Sequence, residues 1–188
     1  MRSKSSQPQL GEILNKISLP IFNGKRGNIQ TINVMKQVAR QRAGDPRIRA
    51  LALKILSDCK IPSQDHLSEA ICIGNFVKES VRYVRDPDNI ELLTDPVTLV
   101  DQIARGIAQG DCDDMSLLIA TLLLSVGCQP YFRAARYKSD SGHYNHIYVV
   151  VYERDWEQKR QRVVLDAILK RSVIGTEVPH QSGDEFAV

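Results

Sequence analysis

Aromatic side chains are scarce in this chain: four Phe, six Tyr and one Trp among 188 residues. Long apolar runs are missing too. The longest, Leu117 to Leu124 interrupted by Thr121, is far too short to cross a bilayer, so no membrane span is expected. The start, Met1-Arg2-Ser3-Lys4-Ser5-Ser6-Gln7, is basic and polar and leads into no apolar segment. A secretory signal is not expected there, which points to a protein that stays in the cytoplasm where it is made. Cysteine is limited to Cys59, Cys72, Cys112 and Cys128, with no C-x-x-C pair. That spacing argues against a structural zinc site and, in a reducing compartment, predicts free thiols rather than a disulfide framework. Acids are nearly absent from residues 1–50, which hold ten Lys or Arg and two acids, a net of +8 within a total of +3. A basic stretch can be a solvated face or a contact for an acidic partner. No aromatic interleaving accompanies the charge, so nucleic acid is not the expected partner. Internal repeats and low-complexity segments are absent as well.

What remains is an ordinary globular composition, 43% hydrophobic and 25% charged, at a length suited to one domain. Residues 1–30 read as a basic, weakly ordered arm and residues 31–188 as a single domain. Thr31 caps a short helix over Ile32 to Arg42. Asp45-Pro46 is a helix start, an N-cap followed by a proline whose missing N–H costs nothing there, and that helix stops near Lys60-Ile61-Pro62. Ser63 begins a third helix through about Tyr83. Asp95-Pro96 opens a fourth, through Leu99, Ile103 and Ile107. The period then changes: Tyr131–Tyr137, Asn145–Glu153 and Gln161–Ala167 are strand-like. Helices first and strands afterwards predict an α+β fold, a helical N-terminal half packed on an antiparallel sheet.

Between the halves lies Gly110-Asp111-Cys112-Asp113-Asp114, running into an apolar helix that Gly127 ends. Asp111 is a good N-cap, and Asp113 and Asp114 suit the positive end of the helix dipole. Met115, Leu118, Ile119, Leu122 and Leu123 form a core-facing stripe, and Cys112 shares its face. A thiol in a first turn meets free N–H groups that favour its thiolate. The carboxylates around it act in the opposite sense and would move activity toward higher pH.

Downstream, alternation places His146, Tyr148, Val150 and Tyr152 on one strand face. Asp166 closes the apolar strand Val163-Val164-Leu165, where a carboxylate is costly without a partner. If the two strands are neighbours, Asp166 meets His146. His146 then takes the proton of Cys112, Asp166 fixes the imidazole, and the thiolate attacks an acyl carbon. Backbone N–H groups near Cys112, with Gln109 as a side-chain candidate, would hold the oxyanion.

Taken together, Gly110-Asp111-Cys112-Asp113-Asp114, the helix closed by Gly127, His146-Ile147-Tyr148 and Val164-Leu165-Asp166-Ala167 resemble the transglutaminase-like superfamily. The lead-in Val81-Arg82-Tyr83-Val84-Arg85-Asp86, Glu91 and Asp95-Pro96 is similar as well, so the likeness spans about residues 70–170. Gly24-Lys25-Arg26-Gly27 with Thr31 and Met35 resembles the arm of phage and prophage members. The resemblance implies a papain-like core and a triad of Cys112 as nucleophile, His146 as base and Asp166 as third member. It also implies a protein or peptide substrate, no cofactor, and a bacterial host or a virion as location, with other phage structural proteins as partners of the basic arm. Animal transglutaminases carry Trp directly after the nucleophile. Asp113 stands here instead, and the single Trp156 lies outside the motif, which favours hydrolysis of an amide over cross-linking. Acyl transfer between proteins and a non-enzymatic virion or assembly role are the alternatives. A zinc reading would need His143 and His146 with Cys112 or an aspartate, although residues three apart on a strand face opposite sides. Asp111, Asp113 and Asp114 lack calcium-loop spacing and are better read as helix-start residues.

Overall fold

The structure is a computed structural model and describes residues 16–19, 25–62, 65–86, 91–137, 144–154, 160–168 and 173–188. In chain order these form β1 (Lys16–Leu19), α1 (Lys25–Arg42), α2 (Pro46–Cys59), α3 (His66–Ser80), β2 (Arg82–Tyr83), β3 (Glu91–Thr94), α4 (Pro96–Ala104), β4 (Gln109–Gly110), α5 (Cys112–Ser125), β5 (Pro130–Arg136), β6 (His146–Arg154), β7 (Arg160–Leu165) and β8 (Ser182–Ala187). This is an α+β fold, with helices in the N-terminal half and an antiparallel sheet ordered β7-β6-β5-β8 in the C-terminal half.

Aspartate punctuates the helical half. Asp45, Asp65, Asp95 and Asp111 are the N-caps of α2, α3, α4 and α5, each accepting a backbone N–H from the first turn. Prolines stand at the first position of α2 and α4. Asp95 is also held at 2.6 Å by Arg42 from the last turn of α1, which ties one helix end to another start. At the other end of α5, Gly127 takes φ +88, the left-handed conformation that lets the chain turn off the helix.

Helix α5 is the centre of the core. Leu117, Leu118, Ile119, Ala120, Leu122 and Leu123 are all fully buried, so the expected stripe is instead burial on nearly every side. α1, α2 and α3 pack around α5, and its remaining side lies against β5 and β6. Ile147, Val149 and Val151 of β6 face that core. Tyr148 and Val150 face the other side of the sheet, where with Ala135 and Val164 they form a second, smaller cluster. Charged groups cover this outer cluster: Arg162 forms a two-pronged pair with Glu177 at 2.6 and 2.9 Å, and Tyr152 donates to both oxygens of Glu185.

Several elements depart from the sequence reading. Within the stretch read as an arm, residues 16–19 pair antiparallel with β3, and α1 begins at Lys25 rather than after Thr31. Packing of Ile32, Met35, Val38 and Ala39 into the core supports the longer helix even though Gly27 lies in its first turn. α3 stops at Ser80, and Arg82–Tyr83 pairs in parallel with Gln109–Gly110, drawing the first segment out of the helix expected there, while α4 stops at Ala104, short of Ile107. β8 is missing from the sequence expectation because Ser-Gly-Asp-Glu-Phe-Ala shows no apolar alternation. Its acids are satisfied by Arg133, Tyr144 and Tyr152 across the sheet. Gly183 is required in β8, since a Cβ would sit 2.8 Å from the Ala134 carbonyl oxygen.

The cysteine expectation is corrected in one pair. Cys59 and Cys72 form a disulfide, with Cα atoms 6.5 Å apart, because the packing of α2 on α3 brings the end of one beside the middle of the other. Cys112 and Cys128 are free thiols. Among the described residues no helix is long and apolar enough to cross a membrane.

Candidate active site

Two strands and one helix start converge at the predicted residues. The β6–β7 ladder pairs Val149 with Leu165, and the same register continued by one residue sets Asp166 opposite Tyr148, diagonal to His146 on the same face. His146 Nε2 lies 2.7 Å from Asp166 Oδ2, and both side chains are buried. The second Asp166 oxygen accepts the Ile168 backbone N–H at 3.3 Å. Both oxygens of this buried carboxylate therefore have a hydrogen-bond partner, as burial of a polar group requires. Since Asp166 occupies Nε2, Nδ1 is the nitrogen left for a second partner. Tyr137 and Tyr148 flank the imidazole, each with its ring centre 5.5 Å away.

Cys112 opens α5, half-buried, with a carboxylate on either side in sequence. Asp111 Oδ1 accepts the N–H groups of Asp113 and Asp114 at 3.0 and 3.3 Å, so its carboxylate serves as the helix cap. The Cys112 thiol donates to Asp113 Oδ1 at 3.3 Å. Burial pushes this thiol well above its ordinary range, and the charges of Asp113 and Asp111 push it further. A backbone hydrogen bond from Ile147, the residue after His146, pulls it back. The Ile147 carbonyl in turn accepts the Ser116 hydroxyl at 3.1 Å, so α5 is bonded to the first residues of β6. Thus the structure pairs His146 with Asp166 and brings the sulfur against the strand position next to His146. Among the described residues, the thiol's hydrogen-bond acceptor is Asp113 rather than His146. The carboxylates and burial outweigh the helix N-terminus, and the resting sulfur is a thiol.

Gln109 is exposed on β4, and its Oε1 accepts Arg82 Nη2 at 2.7 Å. That contact orients the amide and leaves Nε2 as its donor end. Of the metal readings, His143 lies outside the described residues, and so does Trp156. Ligand atoms of Asp111, Cys112 and Asp113 do lie within 4.8 Å of one another. The Asp111 oxygen is already committed to two backbone amides, as capping requires.

Two residues near the site were not read from the sequence in their actual roles. Asp114 is 2% exposed; its oxygens accept the Thr94 N–H at 2.7 Å and the Thr94 hydroxyl at 3.2 Å, binding the first turn of α5 to β3. It precedes Leu118 by one helical turn, and that spacing was the available signal of an inward side chain. Gly110 has to be glycine for the same reason: a Cβ there would meet the Asp114 Cβ at 2.6 Å. Tyr137, beside His146, is the other residue, and it lies at the end of a predicted strand.

Compared with known proteins, the chain matches no protein-family model. No curated protein matches it either.

Proposed function

We propose that the chain is a transglutaminase-like cysteine hydrolase with a papain-like core, acting on an amide bond in a protein or peptide and encoded by a phage or prophage. The observation that carries this reading is the buried His146–Asp166 pair at 2.7 Å, one residue along β6 from the amide that faces the Cys112 sulfur. The thiol leaves Asp113 and passes its proton to His146 Nδ1, while Asp166 steadies the imidazolium through Nε2. The thiolate adds to the carbonyl carbon, and N–H groups at the start of α5, with Gln109 Nε2, receive the oxyanion. The imidazolium then protonates the leaving amine as the C–N bond breaks, and a thioacyl enzyme forms. Water, deprotonated by His146, releases the acid and restores the thiol. An amine in place of that water would make the chain a cross-linking transferase, and Asp113 in the position of the animal-family Trp is the reason hydrolysis is preferred.

One observation favours a second reading, a virion or assembly protein that keeps the fold without the chemistry. The thiol is held by a carboxylate and pushed upward. The rate of Cys112 alkylation by iodoacetamide, followed by intact mass from pH 6 to 10, separates the two. Cys128 is buried and its thiol is pushed up to about 12, so labelling reports Cys112. The hydrolase reading requires a rate that falls by roughly tenfold or more in His146→Ala, within the range general-base catalysis supplies. An unchanged rate and pH profile in that variant favours the non-enzymatic reading.

A further inference from the structure

Large apolar side chains that stay in solvent are few among the described residues: Leu53, Tyr83, Val84, Ile107 and Val173. Three of these five stand in or beside one short ladder. Tyr83, Val84 and Ile107, 39%, 40% and 59% exposed, lie on or next to the two-residue parallel ladder of β2 and β4. That ladder leads directly into Cys112, because Tyr83 is opposite Gly110 and the Val84 N–H donates to the Gly110 carbonyl at 2.9 Å. The Arg82 N–H donates to the Ala108 carbonyl at 3.0 Å. With the amides of residues 82 and 84 directed at β4, strand alternation turns the N–H and C=O of Tyr83 to the opposite edge. Burial raises the pKa of the Tyr83 phenol, and its neighbours Cys112, Asp111 and Asp113 act in the same sense, with Arg85 opposing.

We propose that the β2 edge at Tyr83 and Val84 is the substrate subsite of the Cys112 centre. It takes an extended peptide segment whose apolar or aromatic side chain lies on the Tyr83 ring, next to the amide presented to the sulfur. The proposal rests on the hydrolase reading above. Its occupant follows from three features. An edge N–H and C=O match an extended backbone. The half-exposed Tyr83 ring matches an apolar side chain. Asp111 and Asp113 on the sulfur side disfavour an acidic one.

The test compares labelling of Cys112 by two probes with the same warhead, acetyl-Phe-Gly and acetyl-Asp-Gly chloromethyl ketones. The ratio of the two rates cancels the reactivity of the thiol itself. A failure of the triad, seen as an iodoacetamide rate insensitive to His146→Ala, is therefore read separately from a failure of the subsite. The wild type is expected to react roughly tenfold faster with the Phe probe, the discrimination an apolar subsite commonly gives. Tyr83→Ala should bring the ratio below about twofold, and Val84→Lys, which places a cation favouring the acidic probe at an exposed position where misfolding is not expected, should do the same. Leu53→Ser, on the exposed side of α2, should leave the ratio as it is. Equal rates in the wild type would overturn the proposal, and so would a preference that survives both β2 substitutions.

Discussion

Asp114 makes a stability prediction that depends on pH in a definite direction. Its carboxyl is buried against Thr94, and burial, resisted by the Thr94 hydrogen bonds, raises its pKa from 3.8 to about 6. A carboxyl raised in the folded state binds its proton more tightly there than in the unfolded chain. Its contribution is therefore fully present below about pH 3.8 and is lost as pH rises through about 6. The interval from 3.8 to about 6, at about 1.4 kcal/mol per pH decade, is ~3 kcal/mol. Asp114→Asn keeps an oxygen for the Thr94 N–H and gives the Thr94 hydroxyl an amide donor, but has no proton to lose. In urea denaturation at pH 4 and pH 8, the stability gap between wild type and Asp114→Asn should move in favour of the variant by ~2.5 kcal/mol, since pH 4 lies just above the lower end of that interval. Asp114→Ala should instead lose ~1–3 kcal/mol at both pH values, because a buried Thr94 N–H then has no acceptor. A gap for Asp114→Asn that stays constant to within about 0.5 kcal/mol would refute the reasoning, since the carboxyl would then titrate alike in both states.

The remaining predictions concern the two sulfur sites. Asp113→Asn removes both the charged acceptor of the Cys112 thiol and the nearer charge acting on it, so the alkylation profile should move to lower pH. An unmoved profile in that variant would show that Asp113 does not hold the thiol. For Cys59–Cys72, reduction frees a loop set by a separation of 13 residues and should lower stability by about 3 kcal/mol, read from urea midpoints with and without a phosphine reductant. Identical midpoints, with two further thiols counted in the untreated protein, would show that the pair is reduced in solution.

The sequence was most legible where single residues have strong local consequences. Asp45-Pro46, Asp95-Pro96 and Asp111 each announced a helix start that the structure contains, because a cap and a proline act within one turn. Period-2 alternation in β6 likewise separated Ile147, Val149 and Val151 from Tyr148 and Val150. Legibility failed where partners are distant. β1 and β2 exist through pairing with β3 and β4, and short strands of that kind carry no signal of their own. β8 was hidden because its acids are paired across the sheet instead of alternating with apolar residues. The cysteine spacing suggested free thiols, yet the packing of α2 on α3 overrode it. At the site, the sequence offered His146 and Asp166 as neighbours on adjoining strands, but said nothing of their distance. It also left open whether the helix N-terminus or the carboxylates govern Cys112, a balance set by burial that only the fold can supply.

The register between β6 and β7 has a consequence for how such a site can change over time. His146 and Asp166 meet because both are counted from the paired ladder, with Val149 opposite Leu165, and not from the residues between the strands. Residues added or removed between 155 and 159 leave that count untouched so long as the ladder keeps its pairing. The sequence between the two strands can therefore change in length while the pair stays in place. A one-residue slip within the ladder has the opposite effect: it reverses the face of every side chain on β7 and carries Asp166 away from His146. Changes of length are cheap between the strands and prohibited in the rungs.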